Sequence, residues 1–236
     1  MVIAGLQTIL TTSIAVSATL AALAGVVMLE RIFHDKLKEL FNDKTYFLFF
    51  FMVTGYLLYS LGEVALYMTE VVMKKQSFPG IPDVYWVGGG IFILVSFIAL
   101  AFQLMKEHYT HGKFSSMILF AVLLVAVVIT LLFTITLGPK AHFLNYFYPI
   151  VSSLIVAFGL SVVFFSSKLD HFGSALSLFF LASCCILLAD IFYTSVVASG
   201  GYGLSGIIAD VAYLAGYFLS FLAFVAMRLK VHSLSQ

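Results

Sequence analysis

Seven long apolar runs dominate this chain, and their length limits what it can fold into. A helix needs about 20 mainly apolar residues to cross the hydrocarbon core of a bilayer. The strands of a membrane barrel are only about ten residues long and alternate in polarity, which these continuous runs do not. The chain is 62% hydrophobic and 10% charged, whereas about a quarter of the residues of a soluble domain are charged. The sequence therefore predicts an all-α integral membrane protein.

The runs predict seven transmembrane helices in a single membrane domain, residues 1–236. The predicted helices are 6–29, 46–72, 82–105, 115–137, 143–166, 174–199 and 204–229. No basic segment precedes the first run, and that run is long enough to span, so we interpret it as a retained helix rather than a signal peptide. The segment 31–45 is either an amphipathic helix at the membrane interface or a solvated loop.

The basic residues indicate an orientation. With the N-terminus outside, the inner side carries nine Lys and Arg residues, and the outer side carries three, Lys74, Lys75 and Lys140. Short cytoplasmic loops of membrane proteins carry an excess of such residues. The sequence therefore predicts a multi-pass protein of the cell membrane with its N-terminus outside and its C-terminus inside. A net charge of +1 argues against nucleic acid as a partner, so the lipid bilayer is the partner that composition indicates.

One stretch, residues 55–99, recurs 127 positions later without a gap. This offset aligns the second and third helices with the sixth and seventh, and we expect the first to match the fifth. The plan is three helices, a linking helix and three helices, with repeats at about 6–106 and 143–230 around the link at 115–137. Four helices separate equivalent ends, so the two repeats are predicted to run parallel, related by an axis along the membrane normal.

Four carboxylates lie inside this repeated apolar sequence, Glu63 and Asp83 in the first copy and Asp190 and Asp210 in the second. A charge at membrane depth costs between about 2.5 and well over 10 kcal/mol. Such a residue must face the bundle interior, be paired or be protonated. No Lys or Arg lies in the central part of a predicted helix. We therefore expect Glu63 or Asp190 to be protonated near neutral pH or to hold a cation.

Polar side chains accompany these carboxylates at helical spacing, which gives each helix a polar stripe. The stripes comprise Tyr56, Tyr59, Tyr67 and Glu70 around Glu63, Ser183, Tyr193 and Thr194 around Asp190, and Tyr213, Tyr217 and Ser220 after Asp210. They predict one interior cavity that opens outward and binds a small polar ligand or cation. The predicted site residues are Glu63, Asp83, Asp190, Asp210, Tyr59, Tyr67, Glu70 and Tyr213.

Each carboxylate also has a structural alternative. Asp83 follows Pro82 and suits a helix N-terminus, where a carboxylate meets free N–H groups and the helix dipole. Asp210 suits this role less well, because it lies several residues after Gly206. The other two acids lie too deep to cap a helix, and for them the alternative is a buried hydrogen-bonded pair that holds the two halves together.

No catalytic or cofactor motif is present. The glycines at 88–90 lie inside a predicted helix, which favours close helix packing over a phosphate loop. The adjacent Cys184 and Cys185 are interpreted as small core residues rather than metal ligands or a structural disulfide. His108 and His111 leave a metal site in a polar loop as an open alternative. The sequence thus identifies no cofactor, no metal and no catalytic residue.

The acidic positions resemble a known family. Gly62-Glu63 followed by the stretch 78–85, FPGIPDVY, and a second copy in Ala189-Asp190 and 210–217, DVAYLAGY, are similar to the seven-helix membrane sensor regions of archaeal and bacterial histidine kinases and diguanylate cyclases. The resemblance implies a sensor domain that is commonly joined to an output module. This chain departs from the family pattern by ending without such a module and by the sequence WVGGG at 86–90.

These observations lead to two main hypotheses of function. The first is a stand-alone membrane sensor or binding protein that signals through a cytoplasmic or membrane partner. The alternative is a small proton- or cation-coupled transporter or channel, since three-plus-one-plus-three helices is also the plan of small sugar transporters. A membrane enzyme ranks third. The sequence indicates neither the ligand nor the oligomeric state.

Overall fold

The structure, a computed structural model, describes six helices. It covers residues 2–33, 44–75, 78–108, 142–166, 173–199 and 201–234. The helices are α1 (Val2–Phe33), α2 (Lys44–Leu66), α3 (Ile81–His108), α4 (Phe143–Ser166), α5 (Gly173–Ser199) and α6 (Leu204–Leu234). A π-helical segment, Tyr67–Val72, continues α2. The described residues contain no strand.

All six helices are long and apolar enough to cross a membrane. They confirm six of the seven predicted spans. With the π-helical continuation of α2 counted, their bounds differ from the predicted ones by at most five residues, at the C-terminal end of α6. The predicted fourth helix, 115–137, lies outside the described residues. So does most of the segment 31–45, together with His111 of the alternative metal site.

The six helices form a ring. Each packs against the next in chain order, and α6 packs back against α1. Hydrogen bonds from Tyr148 near the start of α4 to Asp83 near the start of α3, and from Tyr217 of α6 to Glu63 of α2, show which helix ends lie together. We call this the acidic end: α1, α3, α4 and α6 begin there, and α2 and α5 finish there. All four intramembrane carboxylates lie in this half of the ring.

The half of the ring beyond the acidic end is filled by apolar side chains. Fully buried residues there are Met28, Met52, Phe97, Phe179, Phe224 and Met227. The rings of Phe179 and Phe224 meet edge to face at 4.8 Å between centroids. Lipid tails are as apolar as these side chains, so close packing rather than escape from water stabilises this core. The described charged side chains in this half, Glu30, Arg31, Lys106 and Arg228, are exposed.

Small residues let neighbouring helices approach closely at two places. A Cβ added at Gly89 of α3 would lie 2.8 Å from the backbone oxygen of Gly55 in α2. A Cβ added at Gly216 of α6 would lie 3.2 Å from the backbone oxygen of Ala182 in α5. Backbones approach in this way in membrane helix pairs that carry small residues at the interface. The prediction of close packing through the 88–90 glycines is therefore confirmed, and the two contacts lie 127 positions apart.

The cysteines differ from the expectation. Cys184 and Cys185 are free thiols, as predicted, but both are only half-buried rather than part of the core. The buried face of α5 here is formed by Ser183, Ile186 and Asp190 instead.

Candidate functional site

A cavity of about 70 Å³ lies inside the ring at the acidic end, and every described helix contributes to its wall. A water molecule needs about 10–15 Å³ by this measure, so the cavity has room for several waters or a small ligand. Its polar lining consists of three carboxylates, five tyrosines, one tryptophan and one threonine: Glu63, Asp190, Asp210, Tyr59, Tyr148, Tyr193, Tyr213, Tyr217, Trp86 and Thr11. The apolar lining residues are Ile14, Leu66 and Ile186.

Glu63 projects from α2 and is only 5% exposed. Its Oε1 accepts a hydrogen bond of 2.8 Å from the hydroxyl of Tyr217 on α6. The indole of Trp86 on α3 lies beside this carboxylate, but its Nε1 makes no hydrogen bond by distance and angle. Glu63 therefore has one donor among the described side chains and keeps further capacity to accept.

Asp190 projects from α5 and is also 5% exposed. Its Oδ1 accepts a hydrogen bond of 2.6 Å from the hydroxyl of Tyr213 on α6. Its Oδ2 accepts a hydrogen bond from the hydroxyl of Ser152 on α4. Both oxygens are thus engaged by neutral donors, and the carboxylate ties three helices together.

Asp83 acts at the N-terminus of α3. Its Oδ2 accepts a hydrogen bond of 2.6 Å from the backbone N–H of Gly80, which directly precedes the helix. This is the backward contact from the third helical residue that a capping box uses. Its Oδ1 accepts a 2.6 Å hydrogen bond from Tyr148. Asp83 has therefore taken the capping role that the sequence left open, and it does not line the cavity.

Asp210 is the seventh residue of α6, beyond the free N–H groups of the first turn. It lines the cavity and accepts a hydrogen bond from the hydroxyl of Tyr202, which precedes the helix. Tyr202 lies outside the spans, where burial and the bond to Asp210 raise the pKa of its hydroxyl above the usual value. The phenol therefore remains protonated and continues to donate.

No cation compensates these acids among the side chains that the structure describes. The ion pair found there, Arg31 with Glu30 at 3.8 Å, is exposed and lies at the other end of the ring. The carboxylates receive hydrogen bonds from hydroxyls and one backbone N–H instead. Glu63 also lies within electrostatic range of Asp190 and Asp210. Ionised carboxylates buried in this way need a counterion or take up a proton, so the cavity favours either a bound cation or protonated acids.

Five of the eight predicted site residues line the cavity: Glu63, Asp190, Asp210, Tyr59 and Tyr213. Asp83, Tyr67 and Glu70 lie outside its lining. The last two fall in the π-helical segment, whose wider turn breaks the 3.6-residue spacing that had placed them on the face of Glu63. Glu70 nevertheless lies within electrostatic range of Asp210.

Four aromatic lining residues were absent from the predicted set, Trp86, Tyr148, Tyr193 and Tyr217. Two of them, Tyr193 and Tyr217, lie on the predicted polar stripes. Trp86 lies 127 positions before Tyr213. Its alignment with this predicted site residue therefore indicated that Trp86 also lines the cavity. On α4, Tyr148 and Ser152 are four residues apart and share a face, and this polar pair in an apolar helix was the available signal.

The arrangement offers buried negative charge, aromatic faces and hydroxyl groups. Among the residues that the structure describes, no group of three or more His, Cys, Asp or Glu residues is placed to bind a metal ion. The cavity therefore presents groups that pair with a small positive or polar molecule. No family model, curated protein or solved structure matches this chain significantly.

Proposed function

We propose that this protein is a membrane sensor or binding protein whose cavity takes up a small cation or polar ligand. The observation that carries the proposal is the convergence of two buried carboxylates, Glu63 and Asp190, and the partly buried Asp210 on one cavity, without a basic partner among the described residues. Burial makes each ionised carboxylate costly. A bound cation offsets this cost, so binding energy is available to the ligand.

The aromatic lining supports the same proposal. Five tyrosines and Trp86 surround the carboxylates, and the faces of such rings attract a cation within about 6 Å of the ring centre. Hydroxyl groups of tyrosine also donate to and accept from polar ligands. A cavity lined only by carboxylates would instead favour a strongly hydrated ion. The combination is suited to a small molecule that carries positive charge on an apolar frame.

A sensor is favoured over a transporter by the packing below the cavity. The polar groups continue inward to Tyr56 and Ser220, which share a 2.8 Å hydrogen bond. Tyr56 in turn contacts the rings of Phe179 and Phe224. These two rings belong to the buried core of aromatic and methionine side chains that fills the far half of the ring. A transporter exposes its site to both sides in turn. The packed core is typical of a cavity that opens at one end.

We infer that the acidic end faces the outside. Among the described basic residues, Lys74 and Lys75 lie at this end, whereas Arg31, Lys106 and Arg228 lie at the other, which agrees with an excess of positive charge inside. A seventh helix is supported by the ends of α3 and α4. The first finishes at the far end and the second begins at the acidic end, so the seven-helix plan stays part of this proposal.

The parallel repeat is supported by matching contacts. The approach of Gly89 to Gly55 in one hairpin has its counterpart, 127 positions later, in the approach of Gly216 to Ala182. In the ring, α1, α2 and α3 stand opposite α4, α5 and α6. Together with the resemblance to seven-helix sensor regions, this arrangement supports a ligand-binding domain that reports to a partner at the far, cytoplasmic end.

Binding measurements on purified protein in nanodiscs test the proposal. A panel of monovalent, divalent and organic cations is titrated against the wild type and against Glu63→Gln and Asp190→Asn. We expect at least one cation to bind and both variants to weaken its binding, because each removes a buried negative charge. The matched control is Glu30→Gln, which removes an exposed carboxylate at the far end and should bind as the wild type does.

The absence of binding by every cation, or equal affinity in all four proteins, would overturn the proposal. Cation flux into liposomes that contain the protein distinguishes a sensor from a transporter. We expect the bound cation not to cross the membrane through the reconstituted protein. Uptake that disappears in Glu63→Gln would instead establish a transporter.

A further inference from the structure

Two tyrosine hydroxyls of the cavity wall have no hydrogen-bond partner. They belong to Tyr59 of α2, which is only 8% exposed, and to Tyr193 of α5, which is partly buried. Neither hydroxyl makes a hydrogen bond with a residue that the structure describes, and neither is among the unpaired polar atoms that are fully enclosed by protein. Both side chains line the cavity. The two hydroxyls are therefore open to the cavity and able to accept a hydrogen bond from a ligand.

These two hydroxyls lie at different depths. The ring of Tyr59 contacts that of Tyr56, which lies below the cavity. Tyr193 follows Asp190 by three residues toward the acidic end, and its ring contacts that of Phe78 in the loop before α3. Tyr59 therefore belongs to the inner part of the cavity and Tyr193 to the outer part.

The carboxylates around the two hydroxyls also differ. Tyr59 lies within electrostatic range of Asp190 and Glu63. Tyr193 lies within electrostatic range of Glu63 and Asp210, and of two acids outside the cavity lining. The cavity thus has two negative regions: an inner site formed by Tyr59, Glu63 and Asp190, and an outer site formed by Tyr193, Glu63 and Asp210.

A single metal ion does not fit this arrangement. No three acids of the described residues are placed to bind one metal ion, so the three carboxylates share the cavity without sharing one centre. A single positive charge at either site leaves an acid of the other site without a counterion. A ligand with two positive groups compensates both sites at once.

The size and the apolar lining of the cavity suit a chain that joins two such groups. A volume of about 70 Å³ corresponds to about five to seven waters, and a short diamine has a similar number of carbon and nitrogen atoms. Ile14, Leu66 and Ile186 also line the cavity, and their side chains can pack against methylene groups. The cavity therefore offers two polar sites and an apolar wall.

We propose that the cavity binds a short aliphatic diamine. One ammonium group lies at the inner site, where Glu63 and the hydroxyl of Tyr59 accept hydrogen bonds from it and Asp190 adds negative charge. The other lies at the outer site, where Asp210 and the hydroxyl of Tyr193 accept. This inference rests on the proposed function and specifies its ligand class. It makes Asp210 and Tyr193 the residues that distinguish a diamine from a monoamine of the same length.

Matched probes test the inference on the wild type. Putrescine is compared with pentylamine, in which a methyl group replaces one ammonium group, and with aminobutanol, in which a hydroxyl group replaces it. Each probe is titrated against the protein in nanodiscs, and empty nanodiscs correct for uptake by the lipid. We expect the wild type to bind putrescine about ten- to a hundredfold more tightly than either analogue, the size of one hydrogen bond to a charged group.

Substitutions then assign the two ammonium groups. Asp210→Asn should reduce the ratio of the putrescine and pentylamine affinities to about one, because the outer site loses its own charge. Tyr193→Phe should reduce this ratio about three- to tenfold, through the loss of one acceptor. Asp190→Asn should weaken both probes alike and keep the ratio of the wild type, because a monoamine also occupies the inner site. The matched control is Glu30→Gln, an exposed position at the far end, which should keep both affinities.

Three outcomes would overturn the inference while the proposed function stands. The first is a wild-type affinity for pentylamine or aminobutanol equal to that for putrescine, a comparison that holds even where a variant fails to fold. The second is a preference for putrescine that survives in Asp210→Asn. The third is binding of a metal cation of the panel, lost in Glu63→Gln, with no binding of putrescine. If no cation binds at all, the proposed function fails with it.

Discussion

The hairpins α2–α3 and α5–α6 carry acids 127 positions apart, but they satisfy these acids differently. Asp190 of α5 accepts hydroxyl hydrogen bonds at both oxygens, one of them from Tyr213 in its own hairpin. Glu63 of α2 accepts one, from Tyr217 of the other hairpin. The residue that matches Tyr213 in the first hairpin is Trp86, which lies beside Glu63 without a hydrogen bond.

This difference separates a scaffold role from a recognition role. A carboxylate has about four acceptor sites, so Asp190, with two hydroxyl donors, retains less capacity for a ligand than Glu63, with one. Glu63 keeps the larger acceptor capacity on the cavity wall. We infer that Asp190 of the α5–α6 hairpin mainly holds the shape of the cavity and supplies background negative charge, whereas Glu63 of the α2–α3 hairpin makes the closer contact with the ligand.

The largest expected effect follows from that division. Glu63→Gln should weaken binding of the preferred cation about a hundredfold, because it removes both the charge and a directional contact in a buried site. Asp190→Asn should weaken it about tenfold, through the loss of charge at longer range. Isothermal titration of both variants measures the ratio. A greater loss in Asp190→Asn would reverse the assignment of the two acids.

The next effect concerns the packing of each hairpin. In Gly89→Ala the new Cβ would lie 2.5 Å from the ring of Tyr59 and 2.8 Å from the backbone oxygen of Gly55. In Gly216→Ala the nearest atom, at 2.8 Å, belongs to the flexible side chain of Ile186, and the backbone oxygen of Ala182 is 3.2 Å away. Overpacking costs about 1–3 kcal/mol. We expect Gly89→Ala to lower the free energy of unfolding by about 2–3 kcal/mol and Gly216→Ala by about 1 kcal/mol.

Reversible unfolding in mixed micelles measures both variants. The control is Gly5→Ala, since a Cβ there meets nothing within 4 Å and should leave stability unchanged or slightly higher. An equal loss of unfolding free energy in Gly89→Ala and Gly216→Ala would contradict this prediction, because it would show that the shorter backbone contact at Gly89 makes no difference.

The helices were predictable because bilayer thickness sets a minimum length for each apolar run. The predicted spans 143–166 and 204–229 begin where α4 and α6 begin. The π-helical segment was not predictable, because it replaces a regular turn without a Gly or Pro at Tyr67–Val72 to mark it. That local change alone removed Tyr67 and Glu70 from the predicted face. Sequence periodicity holds only as far as the helix keeps 3.6 residues per turn.

The acids of the site were predictable for a related reason. Charge is so costly in an apolar helix that Glu63, Asp190 and Asp210 could be directed only inward. Aromatic residues carry no such cost in a membrane helix, so their sequence positions do not reveal whether Trp86 or Tyr148 faces lipid or the cavity. Only the ring arrangement brings α4 beside α3 and places Tyr148 against Asp83.

The smallest expected effect tests the bond that joins the two hairpins. Tyr217→Phe removes the one hydroxyl that Glu63 accepts from, while Tyr213→Phe leaves Asp190 with the hydroxyl of Ser152. A hydrogen bond contributes about 0.5–1.5 kcal/mol, and loss of the last partner costs more than loss of one of two. We expect Tyr217→Phe to lower the free energy of unfolding by about 1.5 kcal/mol and Tyr213→Phe by about 0.5 kcal/mol. Both measurements use the micelle assay. If Tyr213→Phe is the more damaging variant, Asp190 depends on Tyr213 more than Glu63 depends on Tyr217, and the α5–α6 hairpin is the less well satisfied of the two.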